Sequence, residues 1–334
     1  MEEARSTRAR TTVVSLLPSA TDTVVALGCS SLLIGRSHEC EWDGMESCST
    51  VVTKNRLGDS IPIDEIQNVF SASVAAVEEM KMLGAGLAVA LIQYGLSVYH
   101  VDVETLVSLK PDVILTCLQT AHSGILEGEL CDAAFENVLG YVPKIVHTNG
   151  QTMEEIYTDM RRISDALGES ERGDTLVSEM KDRMNDIQKT MRNTNAQRPS
   201  VACIQWPHPL LTCGAWVPEL LQMVGANVVT GPDGSGGSIH VDDMARADVI
   251  VFALCGLGMD ASERTVRNRV LKNADMLRNQ TMAILDGVRM MSRPGPLLLQ
   301  SIECLAEIIT EYHRGEATRD STSLQHQGSL WKWV

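Results

Sequence analysis

The chain has 334 residues, with 28 Lys and Arg against 43 Asp and Glu, a formal net charge of −15 and an isoelectric point near 5.0. That acidity excludes a nucleic-acid binder, because phosphate-backbone affinity needs a clustered basic footprint. Hydrophobic residues at 44% and charged residues at 21% exclude a disordered or fibrous chain, and the length suits about two domains.

Met1 to Thr12 reads MEEARSTRARTT and lacks the apolar core of an export signal. No run approaches the ~18 apolar residues of a membrane span. The expectation is a cytoplasmic protein with no membrane span, monomeric, and disordered over residues 1–11. Nine cysteines are scattered without a C-x-x-C pair, as in a reducing interior. Cys40 and Cys48, flanking an acidic loop that holds Trp42, read as free thiols or, alternatively, as metal ligands.

TVVSLL from Thr12 is β-branched and apolar, which predicts a buried strand. A polar loop, PSATD (18–22), and a helix stopped at Gly28 follow. Further strands are predicted at 32–35, 112–117 and 144–148, with a helix over 102–110 closed by Pro111. Short apolar strands alternating with helices imply a parallel sheet covered on both faces. From Thr152 to Thr194 apolar residues recur at helical spacing, giving two helical segments or one long helix broken near Gly168 to Gly173. The pattern then restarts: a strand over 200–206, a loop over 207–216, a helix ending at Gly225, a helix end, turn and β-branched strand within 244–255, a strand over 281–287, and an amphipathic helix over 293–310. MARADVIVFALC (244–255) echoes LVSLKPDVILTC (106–117), so two related lobes are expected. The residues after Tyr312 are polar and without period. They are taken as disordered, although Trp331 and Trp333 could form a docking motif.

The fold expected is therefore α/β: two Rossmann-like βα lobes, 12–149 and 198–312, bridged by a helical backbone over 150–197, with a tail over 313–334. Open α/β sheets bind ligands at the carboxyl ends of their strands, so the candidate site is a cleft between the lobes. The site loops are then 18–22, 36–43, 117–124, 206–216, 255–260 and 286–296. Three of the five tryptophans, Trp42, Trp206 and Trp216, fall in these loops, which favours a large flat or apolar ligand.

VVSLLPSATDTVVALG, GRSHECEWD, VTKNRL, LKPDVILT, QWPHPLLTCGAWVPELLQMVG, ADVIVFALCGLG and SRPGP resemble the cobalamin-type branch of the iron-siderophore and cobalamin substrate-binding proteins. These are the helical-backbone solute receptors that serve ABC importers. The resemblance covers about Thr12 to Thr310. It implies a corrinoid such as cobalamin as ligand, with haem, a siderophore or a metal ion as the alternative. The ligand contacts it implies are Ser19, Ala20, His38, Trp42, Tyr99, Cys117, Trp206, Leu211, Asp286, Arg289 and Met290, with Trp216 either facing the ligand or packing its lobe. His38 is either an axial metal ligand, a contact to the ligand's face or a loop-stabilising residue.

Glu104 and Asp242 match the family's importer-docking glutamates, the second as a shorter carboxylate. Without an export signal, the transport step is left unassigned. Arg289 and Arg293 either meet an anionic or amide edge or neutralise an acidic rim. His122, His208 and His240 lack the i, i+4 spacing of a metal site, and the Gly-rich stretch 231–238 lacks the Lys-Ser/Thr of a phosphate loop, so no nucleotide is expected. A hydrolase built on Ser19, His38 and Asp43, or a regulatory protein on the same scaffold, is the competing class. Ser19 is not in a G-x-S-x-G elbow, and no enzyme activity is expected.

Overall fold

The computed structural model describes residues 11–55, 99–117, 136–193, 197–231, 236–273, 275–277, 280–315 and 324–334. The chain divides into two compact units, Met1–Asn149 with Ile156–Leu176, and Gly150–Glu155 with Val177–Val334. Each contains a sheet whose first strand lies inside it, parallel throughout in the first unit and with a parallel core and antiparallel edge strands in the second.

In the first unit, β1 (Val13–Ser15) pairs in parallel with β2 (Leu33–Arg36) on one side and β5 (Val113–Thr116) on the other, and β6 (Lys144–His147) extends the sheet beyond β5. All seven residues of β1 and β5 are buried, as β-branched strands covered on both faces should be. Helix α1 (Pro18–Ala26) connects β1 to β2 and ends before Gly28, whose φ of +70° turns the chain out of the helix. Helix α2 (Val103–Leu109) leads into β5. Its N-cap, Asp102, accepts from the Thr105 N–H at 3.0 Å and from the Thr105 hydroxyl at 2.8 Å, satisfying a donor that the helix leaves open. A separate antiparallel pair, β3 (Thr53–Asn55) with β4 (Tyr99–Val101), stands beside this sheet.

The second unit repeats the plan. β7 (Ser200–Pro207) pairs in parallel with β9 (Asn227–Val229) and β10 (Val249–Phe252), and β11 (Thr281–Leu285) follows β10. Helix α5 (Val217–Met223) occupies the place of α1 and is likewise followed by a positive-φ glycine, Gly225 at +81°. Helix α6 (Val241–Met244) occupies the place of α2.

One polar device occurs in both. Asp112, just ahead of β5, accepts from the Thr12 N–H and hydroxyl, both at 2.8 Å, while its own N–H donates to the Thr12 carbonyl at 3.0 Å. Asp248, just ahead of β10, accepts from the Ser200 N–H and hydroxyl, both at 2.7 Å, and donates to the Ser200 carbonyl at 2.9 Å. Helices α3 (Met153–Leu167) and α4 (Ser170–Arg192) form two helical segments, the first of the two arrangements expected for this stretch. Ile163, Leu167 and Leu176 from these helices pack with Val13, Val24, Leu33 and Leu115 in the first core. The second core gathers Ile204, Ile250, Phe252, Leu254 and Ile284. Helix α7 (Met259–Thr265) follows β10, and α8 (Leu298–Arg314) closes the unit. No helix among the described residues is long and apolar enough to cross a membrane.

Three sequence expectations are corrected. The segment 18–22 is not a loop: Pro18 opens α1 at the first helical position, where its missing N–H costs nothing. Within the expected loop 207–216, Leu210–Thr212 forms β8, which folds back antiparallel on β7 with Trp206 opposite Leu211. The expected disordered tail is ordered over 324–334. There β12 (Trp331–Trp333) adds antiparallel to β11, with Ala283 opposite Trp333 and Leu285 opposite Trp331. Trp331 is fully buried and donates from Nε1 to Glu307 at 2.7 Å. Lys332 pairs with Glu263 at 2.8 Å and Asp260 at 3.1 Å. An aromatic pair with so much apolar area has enough to gain from burial to order a polar stretch. Residues 1–10 and 316–323 lie outside the described residues.

The Trp331→Ala variant is expected to lose about 3–5 kcal/mol from the second unit, the usual cost of emptying a large aromatic site. Urea unfolding followed by circular dichroism would show an earlier transition. An unchanged midpoint would mean that β12 contributes nothing to the unit.

Candidate functional site

The strand order in each unit places a topological switch beside the central strand, between β1 and its neighbours in one sheet and between β7 and its neighbours in the other. Ligands of open α/β sheets bind outside the carboxyl ends of the strands at such a point. Most of the sequence-predicted residues lie at those ends.

In the first unit the loop after β2 is held from inside. Arg36 donates from Nε to the Cys48 carbonyl at 3.0 Å and from one terminal nitrogen to the carbonyls of Ser37 at 3.2 Å and Cys40 at 3.4 Å. The Thr21 hydroxyl of α1 meets the Cys40 thiol at 3.0 Å. On this braced loop, the His38 N–H donates to Thr53 Oγ1 at 3.0 Å, and His38 Nδ1 lies 2.7 Å from the same oxygen. Thr53 in turn donates to Ser37 Oγ at 3.1 Å. A threonine hydroxyl holds one proton and two lone pairs. With its proton given to Ser37, Thr53 has lone pairs for both the His38 N–H and an Nδ1 hydrogen, and the other ring nitrogen, Nε2, lies 4.0 Å from Glu39 Oε1. The residues that orient His38, namely Arg36, Ser37 and Thr53, were not singled out from the sequence. Only the later pairing of β3 with β4 shows why Thr53 sits there.

Trp42 is half-buried against the first core, and its buried Nε1 has no hydrogen-bond partner among the described residues. Cys48 is buried, which pushes its thiol pKa up against the opposing charge of Arg36. Cys40 and Cys48 are both buried and neither is in a disulfide; among the described residues, no group of three or more His, Cys, Asp or Glu gathers in a way that could hold a metal ion. Ser19 and Ala20 are buried in α1, and Ala20 belongs to the core. The hydrolase arrangement therefore has its nucleophile inside a helix. Cys117, directly after β5, donates to Asn149 Oδ1 at 3.6 Å. Burial, reinforced by the charge of Asp159, pushes its pKa up to about 12. The backbone of Tyr99 lies in β4, but its side chain lies outside the described residues, as do His122 and the rest of 118–124.

In the second unit the β7–β8 hairpin presents Trp206 and Leu211 side by side, both half-buried. Trp206 donates from Nε1 to the His208 carbonyl at 3.0 Å, and the exposed His208 stands at the hairpin turn. Trp216, at the start of α5, donates from Nε1 to the Met291 carbonyl at 3.0 Å, which ties it to the loop after β11. That loop is internally fixed. Asp286 Oδ1 accepts from the N–H groups of Val288 at 2.9 Å and Arg289 at 3.2 Å. Gly287 runs so close to Leu254 that a Cβ would collide with that residue's carbonyl. Arg289 is exposed while Arg293 is buried. Met290 is fully buried and its sulfur accepts from Ser301 Oγ at 3.7 Å, so it anchors the loop from within. In the Gly-rich stretch, residues 232–235 lie outside the described residues. Glu104 and Asp242 are exposed second residues of α2 and α6, matching positions in the two units.

Two predictions follow from this geometry. Gly287→Ala forces the loop off Leu254 and is expected to cost about 1–3 kcal/mol, as overpacking does. An unchanged thermal midpoint would show that the loop yields freely. At pH 8, iodoacetamide should modify the exposed Cys255 well before Cys117, because only the thiolate reacts and the Cys117 thiol stays protonated until pH nears 12. The Cys117 rate should climb with every step in pH between these values; equal rates at pH 8 would contradict the assignment.

Comparison with known proteins agrees with these observations. The family model described as periplasmic binding protein matches residues 92–284, more than half of the chain. An uncharacterised ABC transporter substrate-binding lipoprotein of Bacillus subtilis, YvrC, is 23% identical over 214 residues, which are 63% of this chain and 65%, less than two thirds, of that protein. Among solved structures, a periplasmic heme binding protein from Pseudomonas aeruginosa aligns with TM-score 0.63 and 16% identity over 96% of this chain and 97% of its own. The periplasmic vitamin B12 binding protein BtuF of Vibrio cholerae aligns with TM-score 0.57 and 15% identity over 90% and 96%. These relatives correct the cytoplasmic expectation, since they are periplasmic binding proteins or, in the Bacillus subtilis case, a substrate-binding lipoprotein of an ABC transporter. That expectation rested on the first dozen residues, which carry no such information once the family is known. The chain belongs to the periplasmic binding protein family of substrate-binding proteins.

Proposed function

We propose that the protein binds a corrinoid, cobalamin or a close analogue, as the substrate-binding component of an importer. The observation that carries this reading is the orientation of His38. An imidazole that is to ligate a chelated metal must be neutral and held by an acceptor on its other nitrogen. Thr53 supplies that acceptor at 2.7 Å, and the Arg36 contacts to three carbonyls keep the loop from relaxing. In the second unit, Trp206 and Leu211 form an apolar platform suited to a large planar ligand. The vitamin B12 binding relative supports cobalamin; the heme binding relative makes haem the alternative chelate.

Glu104 and Asp242 are the proposed importer contacts. Each is exposed in the first turn of a helix at the same point of its repeat, where paired carboxylates can meet basic side chains of a membrane partner.

Calorimetric and visible-absorption titration with hydroxocobalamin, haemin and a ferric siderophore tests the reading. Hydroxocobalamin should bind with a spectral shift. His38→Ala and Thr53→Val should both abolish that shift, and Trp206→Ala should weaken binding about tenfold, ~1.4 kcal/mol. Binding of haemin alone would transfer the assignment to haem, and binding of none would overturn it. Retention of the shift in His38→Ala would remove the axial role.

A further inference from the structure

The β7–β8 hairpin carries a second feature that ligand binding does not use. Ile204 of β7 faces Thr212 of β8. One position farther from the turn, the Cys213 N–H donates to the Cys203 carbonyl at 2.8 Å, which sets these two cysteines opposite each other. Directly opposed residues of an antiparallel pair point their side chains to the same face. When hydrogen-bonded they hold their Cα atoms about 5.5 Å apart, inside the roughly 4.4–6.8 Å that a disulfide spans. Both cysteines are buried, and neither is in a disulfide.

We propose that Cys203 and Cys213 form a reversible cross-strand disulfide, with a small-molecule disulfide as the oxidant. One of the two thiolates attacks the small disulfide, forming a mixed disulfide and releasing one small thiolate. The opposing cysteine then attacks the protein sulfur of that mixed disulfide and releases the second small thiolate. Two protein thiols lose two electrons and two protons; one small disulfide gains both and leaves as two thiols. The bond would tie the base of the hairpin that presents Trp206 and Leu211, and the periplasm of the structural relatives is a setting where such bonds persist.

The full chain, incubated with oxidised glutathione at pH 8, is unfolded in iodoacetamide, digested without reductant and mapped by mass spectrometry. A peptide pair joined through Cys203 and Cys213, split by reductant, is the expected product. Alkylation of both Cys203 and Cys213 after oxidation, or their linkage to other cysteines, would overturn the pairing. The wild-type map alone decides the pairing, with no variant that could fail to fold.

Discussion

Two carboxylates, Asp112 and Asp248, set the geometry on which each unit depends. Each stands at the amino end of the strand beside its central strand and takes both hydrogens of the hydroxyl residue that begins or precedes that central strand. A parallel pair has no tight turn to fix its register, which must come from side chains and from the connecting helix. These clasps supply it at one end of each sheet, and the loops at the other end inherit their placement. Being charge-assisted, the bonds are short; being at the rim, they cost little desolvation.

From that aligned end, each unit positions its loops by internal polar contacts. Arg36 gathers carbonyls from Ser37, Cys40 and Cys48, and Asp286 caps its own turn while Gly287 lies against the backbone of Leu254. These loops are therefore built structures rather than slack connections, which suits a receptor that should lose little entropy on binding. The apolar members of the set divide by depth. Ala20 and Met290 are packed inside; Trp206 and Leu211 stay half-exposed, where a ligand surface would replace water.

Much of this was legible in the sequence because the strands are short, apolar and β-branched, and because glycine ends the helices. The echo between 106–117 and 244–255 foretold the repeat, down to the aspartate before each strand. Local pattern did not reveal β8, whose flanking prolines read as a loop, or β12, whose two tryptophans sit in a polar stretch that orders only by pairing with β11. His38 could be named from its motif, but not its orientation, which depends on Thr53 from a different strand pair. Proximity of Cys203 and Cys213 likewise follows from the β8 pairing and not from their spacing.

The division of the chain has a practical corollary. Residues 150–155 belong with the second unit, although 156–176 return to the first, and Ile163, Leu167 and Leu176 complete the first core. No single cut in the polypeptide yields both halves whole. A fragment ending at residue 149 would leave the faces of Val24 and Leu33 without these partners, whereas one extended to residue 176 would carry off the start of α3 from the second unit. The two units are thus interlaced along the sequence, and they are expected to be made, and to resist proteases, as one product.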